Sequence, residues 1–73
     1  MKITFKYEYS TYEIKQINYQ LEDYNNNAVT FVTVSKNDKE IVYDFIGILS
    51  LETILARLEL NKNLNYDFEK LEE

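Results

Sequence analysis

Two β-rich runs around Asn37-Asp38 constrain the fold of this chain more than any other feature. The run AVTFVTV begins at residue 28, and the run IVYDFIG begins at residue 41. β-Branched and aromatic residues on either side of a turn-forming pair predict a β-hairpin. A two-residue loop at Asn37-Asp38 pairs Val34 with Ile41. The next pair on the same face is then Val32 with Tyr43.

Both faces of this predicted hairpin are largely apolar. The first face carries Val32, Val34, Ile41, Tyr43 and Phe45, and the second carries Val29, Phe31, Val42 and Ile46. One helix covers only one face of a small sheet, so the second face needs another element or another chain. The hairpin therefore predicts a contact surface, and a homodimer is one way to cover it.

The N-terminal third of the chain supplies further strand material. Residues 2–9 alternate between polar and apolar side chains, which predicts a half-buried strand. Its apolar set is Ile3, Phe5, Tyr7 and Tyr9. Residues 10–24 allow two interpretations: a helix capped by Ser10, or a strand with a bulge near Gln16. Their β-branched and aromatic content favours the bulged strand.

The C-terminal third predicts helices. Apolar residues recur there at helical spacing, at Leu51, Ile54, Leu55 and Leu58. Ser50 precedes them as an N-cap, so we expect a helix over residues 51–61. The last segment suits a second, short helix with an inward set of Leu64, Phe68 and Leu71. A strand would instead align Leu64, Tyr66 and Phe68, and we favour the helix.

These elements predict one α+β domain over residues 1–73. We expect a small antiparallel sheet of three or four strands with a C-terminal helix, and a short second helix, packed on one face. A chain of this length buries only ~60% of its unfolded surface, so association with a partner would add useful stability.

The composition excludes several kinds of catalytic and metal site. The chain has no Cys and no His, which rules out thiolate nucleophiles, zinc-thiolate sites and serine–histidine pairs. Its carboxylate pairs do not follow a calcium-loop pattern. We therefore expect no enzyme activity, no cofactor and no metal. No stretch approaches the ~20 apolar residues of a membrane span. The polar N-terminus does not resemble a signal peptide, so we expect a cytoplasmic protein.

Acidic residues are concentrated towards the C-terminus. The net charge is −5, of which residues 41–73 contribute most. An acidic surface repels nucleic acid and favours basic protein partners. Carboxylates held in a row on a helix approach the spacing of phosphates along a nucleic-acid strand, and an aromatic neighbour helps to bind arginine. We expect partner-binding residues at Asp44, Tyr66, Asp67, Glu69, Glu72 and Glu73, although a purely solvated surface would show the same pattern.

The order of elements resembles that of small acidic phage-encoded anti-CRISPR proteins that inhibit a Cas nuclease. The resemblance rests on the hairpin AVTFVTVSKNDKEIVYDFIG, the helix SLETILARLEL and the acidic-aromatic end NLNYDFEKLEE. The step DFIGILSLETIL is also similar to that in small phage inhibitors of uracil-DNA glycosylase. The resemblance implies a stoichiometric inhibitor that binds a basic nucleic-acid enzyme of a bacterial host. It transfers no individual site residue, because only the pattern is similar.

The uncovered hairpin face supports a different class of function. A homo-oligomeric structural or regulatory protein, such as an immunity protein, an antitoxin or a phage accessory factor, would use the same face to bind its own copy. Size and composition do not separate this class from an inhibitor.

Overall fold

The described residues of the domain form four strands and two helices. The computed structural model describes residues 2–21 and 28–71. Its elements are β1 (Ile3–Tyr7), β2 (Ser10–Leu21), β3 (Ala28–Lys36), β4 (Lys39–Ile46), α1 (Leu51–Glu59) and α2 (Leu64–Lys70). The strands form one antiparallel sheet in the order β1-β2-β3-β4, so β1 and β4 are its edges. The predicted α+β fold is confirmed.

The β3–β4 hairpin has the predicted register. Val34 pairs with Ile41, and Val32 pairs with Tyr43. Asn37 and Asp38 form the turn, with φ angles of 51° and 66°. Two consecutive positive φ angles are typical of the turns whose twist matches that of paired strands, and Asn and Asp tolerate this conformation better than most residues.

Residues 10–21 form the bulged strand rather than the helix. The pairing of β2 with β3 shifts between Ile14 and Gln16, which moves the apolar side chains of both halves of β2 to the same face. The first strand is shorter than expected. Glu8, with φ 56°, and Tyr9 form the β1–β2 turn, so Tyr9 lies fully exposed instead of continuing the inward set.

Both helices begin where the sequence indicates. The side chain of Ser50 caps α1 by accepting a hydrogen bond of 3.2 Å from the backbone N–H of Thr53. The helix ends at Glu59, before the predicted limit at residue 61. Helix α2 buries Leu64 and Phe68. The expected inward position of Leu71 is wrong, because α2 ends at Lys70 and the Leu71 side chain is 43% exposed.

The core lies between one face of the sheet and the two helices. We call the helix-covered face of the sheet the inner face. The buried hydrophobic core formed by this face and the helices consists of Phe5, Tyr12, Ile14, Val32, Val34, Ile54, Leu58, Leu64 and Phe68. Tyr12 lies at the centre of an aromatic group, stacked on Phe5 with ring centroids 5.5 Å apart and edge-on to Phe68 at 5.1 Å. Neither described helix is long and apolar enough to cross a membrane.

Candidate protein-interaction surfaces

Strand β4 presents, along one side, backbone groups that pair with no other strand in residues 2–21 and 28–71. Lys36 and Lys39 flank a two-residue turn, and such a pair exchanges both of its backbone hydrogen bonds. The bonding then alternates, so odd-numbered residues of β4 bond to β3. The N–H of Gly47 follows this parity, since it donates to the carbonyl of Ala28 at 2.7 Å. The backbone groups of Glu40, Val42, Asp44 and Ile46 therefore point away from the sheet, and we call this side of β4 the free edge.

The outer face of the sheet, opposite the helices, is apolar near the free edge. Its exposed part there consists of Phe31, Val42, Asp44 and Ile46, which we call the outer patch. Val42 is 59% exposed and Ile46 is 83% exposed, whereas Phe31 is half-buried between its neighbours. No helix or strand in residues 2–21 and 28–71 packs on this patch. The predicted second apolar face of the hairpin is thus present, with Val42 and Ile46 exposed on it, whereas Val29 of the same predicted set is buried.

Asp44 lies in the middle of the outer patch. It is exposed, stands opposite Phe31, and has Val42 and Ile46 two residues away along the same face of β4. Within the described ranges, the one ion pair joins Lys15 to Glu40 at 2.9 Å, so Asp44 has no cationic partner there. Its exposure at an edge fits both expectations for this residue, a solvated carboxylate and a polar group within an interface.

Contrary to the expectation from the sequence, Asp67 does not face outward. Its carboxylate accepts a hydrogen bond of 2.9 Å from the hydroxyl of Tyr43, which lies on the inner face of β4. The side chain is half-buried as a result. Burial, together with this carboxylate, raises the pKa of Tyr43 above its ordinary value. Asp67 therefore joins α2 to the edge strand, and that role accounts for its charge before any partner is considered.

Tyr66 and Glu69 lie on other sides of α2. Residues two apart on a helix differ in direction by ~200°, so Glu69 points away from the side that carries Asp67. The Glu69 side chain is exposed, as expected. Tyr66 is 57% exposed, with the Lys70 ammonium 5.4 Å from its ring centroid. Asp67 and Glu69 therefore do not lie side by side in an outward row, because Asp67 is half-buried whereas Glu69 is exposed; Glu72 and Glu73 lie outside the described residues.

The acidic excess of the chain is unevenly distributed. Nine of the thirteen acidic residues fall in the described ranges, together with all eight basic residues. The remaining acids are Glu22, Asp23, Glu72 and Glu73. The described surface is therefore nearly balanced in charge, and single carboxylates such as Asp44 matter there through their immediate surroundings rather than through a broad acidic field.

The two edges of the sheet differ in a way that sequence reasoning missed. On β1, the same alternation directs Thr4 and Lys6 towards solvent, with Lys2 just before the strand. Lysines on an edge discourage pairing with another chain. The free edge of β4 has no lysine at the corresponding positions and carries Val42 and Ile46 instead. The sequence indicates which residues of β4 direct their backbone groups away from β3, because bonding alternates along the hairpin. This alternation becomes informative once β4 is known to be an edge.

The described chain also has an open concave site with polar surroundings. A cavity of about 380 Å³ lies beside the β2 bulge and the Asn37-Asp38 turn. Acids and lysines alternate around it, at Glu13, Lys15, Lys36 and Asp38. The described residues contain no group of three or more potential metal ligands. The polar surroundings do not define a particular ligand.

Comparisons with protein-family models, with curated proteins and with solved structures found no significant match to this chain. The surfaces described above therefore carry the functional information in this molecule.

Proposed function

We propose that this protein binds a basic, nucleic-acid-binding protein of a bacterial host and inhibits it stoichiometrically, as phage or mobile-element inhibitors do. The observation that supports this proposal is the exposed Asp44, surrounded by apolar side chains and without a cationic partner in the described part of the chain. Such a site suits arginine, whose apolar stem packs on Val42 and Ile46 while its guanidinium meets the carboxylate.

Nucleic-acid enzymes offer this chemistry. They bind phosphates with exposed arginine and lysine side chains, which are the groups that Asp44 would engage. A bound inhibitor would occupy these side chains and keep phosphates away from them. The four acids of residues 22–23 and 72–73 add to the net charge of −5 and would accelerate encounter with a basic protein. Cas nucleases and uracil-DNA glycosylase are the first enzymes to test, because the sequence pattern resembles that of their inhibitors.

The experiment combines capture with competition. The tagged chain is incubated with bacterial lysate at low salt, captured proteins are eluted with salt, and each is assayed for DNA or RNA binding with and without an equimolar amount of the chain. Purified Cas nuclease–guide complex and uracil-DNA glycosylase are assayed in parallel. We expect at least one nucleic-acid-binding protein to lose its nucleic-acid binding when the chain is present at roughly a 1:1 molar ratio, as tight stoichiometric inhibition requires. Captured proteins that keep this binding, with no effect on the two purified enzymes, would contradict the proposal.

Matched charge variants locate the site. Asp44→Lys and Glu59→Lys change the net charge equally, but Glu59 lies exposed at the end of α1, in the helical layer. We expect Asp44→Lys to weaken inhibition at least ~10-fold, since it places two cations together at the interface. Glu59→Lys should change it less than ~3-fold, through long-range attraction alone. Equal effects of the two variants would show that net charge, rather than Asp44, determines binding.

The uncovered outer patch also favours a second candidate, a homo-oligomer that buries Val42 and Ile46 against another copy. Light scattering over a range of concentrations distinguishes the two. A monomer at high micromolar concentration would remove this candidate, and a stable dimer that is lost in Val42→Lys would support it.

A further inference from the structure

We propose that the free edge of β4 receives an extended segment of the partner as a fifth antiparallel strand, with a basic side chain of that segment placed against Asp44. This inference rests on the proposed function and specifies how the partner is bound. It depends on three features of the edge, namely its backbone groups, its side chains and its contrast with β1.

The backbone of β4 is ready for strand addition. Four successive even-numbered residues, from Glu40 to Ile46, direct their N–H and C=O groups away from β3, as the register and the Gly47 bond establish. The strand is eight residues long and contains no proline. An added strand would form main-chain hydrogen bonds with these groups. Its side chains would contact those of β4 at every second position on each face.

The side chains next to these backbone groups specify the chemistry of the added strand. On the outer face the edge presents Val42, Asp44 and Ile46 in succession. Cross-strand neighbours on one face lie ~5 Å apart, so the complementary segment carries an apolar, a basic and an apolar residue at alternate positions. On the inner face the added strand would run beside Tyr43, whose hydroxyl donates to Asp67. The exposed carboxylate of Asp44 therefore favours a basic side chain opposite it, whereas Asp67 already accepts a hydrogen bond from Tyr43.

The carboxylates of Glu40 and Asp44 disfavour pairing between two copies of β4. In the registers that overlap two such strands most fully, Asp44 stands opposite or diagonal to a carboxylate of the other copy. The β1 edge of a second copy, with Lys2 and Lys6, is the better competitor within this chain. Its pairing with β4 would be head-to-tail and would extend into open chains of molecules, which makes it easy to detect.

Amide hydrogen exchange tests the strand directly. In the free protein, the amides of Ile41, Tyr43 and Phe45 should be protected by β3, whereas those of Val42 and Asp44 should exchange rapidly. The probe is a synthetic peptide, Thr-Val-Thr-Arg-Thr-Val-Thr, at millimolar concentration; the control peptide has Glu in place of Arg. We expect the Arg peptide to slow exchange at Val42 and Asp44 by at least ~10-fold, without a comparable effect of the Glu peptide.

Charge reversal provides the matched variant. Asp44→Lys should reverse this preference, so that the Glu peptide slows amide exchange at Val42 and the Arg peptide does not. Rapid exchange at Val42 and Asp44 in the presence of the Arg peptide would overturn the inference. So would protection that appears without peptide, rises with protein concentration and disappears in Lys6→Glu, because it would show that a second copy occupies the edge.

The outcome for the proposed function is separate. If the chain inhibits a nucleic-acid-binding protein while Val42 and Asp44 exchange rapidly in that complex, the proposed function stands and the fifth strand is rejected. If the Arg peptide protects the edge but no nucleic-acid-binding protein is inhibited, the strand-binding edge stands and the proposed function is rejected.

Discussion

Tyr43 links the edge strand to the second helix through one hydrogen bond, and its removal should be measurable. Tyr43→Phe leaves the half-buried Asp67 carboxylate without that donor. We expect the free energy of unfolding to fall by about 1 kcal/mol, as for the loss of one partly buried bond to a charged group. Urea denaturation followed by circular dichroism gives this value. The control is Tyr66→Phe on the exposed side of α2, which should change stability by less than ~0.5 kcal/mol.

Tyr43 also predicts how stability depends on alkaline pH. Burial and Asp67 raise its folded-state pKa above the ordinary value of about 10. The folded state therefore holds the proton more tightly than the unfolded state does. Its contribution to stability is complete below pH ~10 and is lost as the pH rises from there towards the folded-state pKa.

Urea titrations at several pH values between about 9 and 11 test this expectation. The unfolding free energy of the wild type should decline across the upper part of this range, and the decline should be shallower in Tyr43→Phe. Burial also raises the pKa of Tyr12, so Tyr12 should account for part of the remaining slope. Equal slopes in the two proteins would show that Tyr43 does not hold its proton more tightly in the folded state.

At the scale of elements, Thr30 connects the sheet to the segment between β4 and α1. Its hydroxyl donates to the carbonyl of Gly47 at 2.6 Å and accepts from the N–H of Leu49 at 3.1 Å, and the side chain is fully buried. Thr30→Val keeps the shape but leaves both backbone groups unpaired. We expect a loss of roughly 1–3 kcal/mol in the free energy of unfolding.

Thr30→Ser is the control for the loss of the hydroxyl. It retains both hydrogen bonds and removes one buried methyl group, so it should cost less than Thr30→Val, about 1 kcal/mol. If Thr30→Val is as stable as the wild type, the connection between β4 and α1 does not depend on this hydroxyl. The comparison is made by urea denaturation under identical conditions.

Much of the element structure follows from local sequence patterns. The two-residue loop at Asn37-Asp38 determines the β3–β4 register, and the change of apolar parity at Gln16 locates the bulge in β2. Ser50 is recognisable as an N-cap from its place before an amphipathic repeat. Each of these features depends on residues close together in the chain, so one sequence was sufficient to predict it.

The features that the sequence did not predict depend on the packing of distant elements. The inward position of Asp67 requires that α2 lie over β4, where Tyr43 provides the donor. The turn at Glu8 and Tyr9 uses a positive φ at Glu8, a residue type that gives little sign of it. The difference between the two edges appears only when the strand order is known. These are long-range relations, for which hydrophobic periodicity carries no information.

At the scale of the whole molecule, the candidate binding residues fall on different sides. Asp44 lies on the outer face of the sheet, whereas Tyr66, Asp67 and Glu69 belong to α2, which packs on the inner face. The Cα positions extend 38 × 26 × 23 Å, so both sides belong to a small body, but they face in different directions. One flat docking surface cannot include both Asp44 and Glu69.

This separation predicts that substitutions on the two sides will have unequal effects on binding to a given partner. If the free edge is the binding site, Asp44→Lys should weaken binding at least ~10-fold, and Glu69→Lys less than ~3-fold at physiological salt, where charges are screened within ~8 Å. The two variants carry the same net charge, which makes them matched controls for one another. Calorimetric titration against the captured partner at two salt concentrations gives both ratios. The reverse order of effects would transfer the binding surface to α2, and comparable losses would require a partner that encloses the domain from both sides.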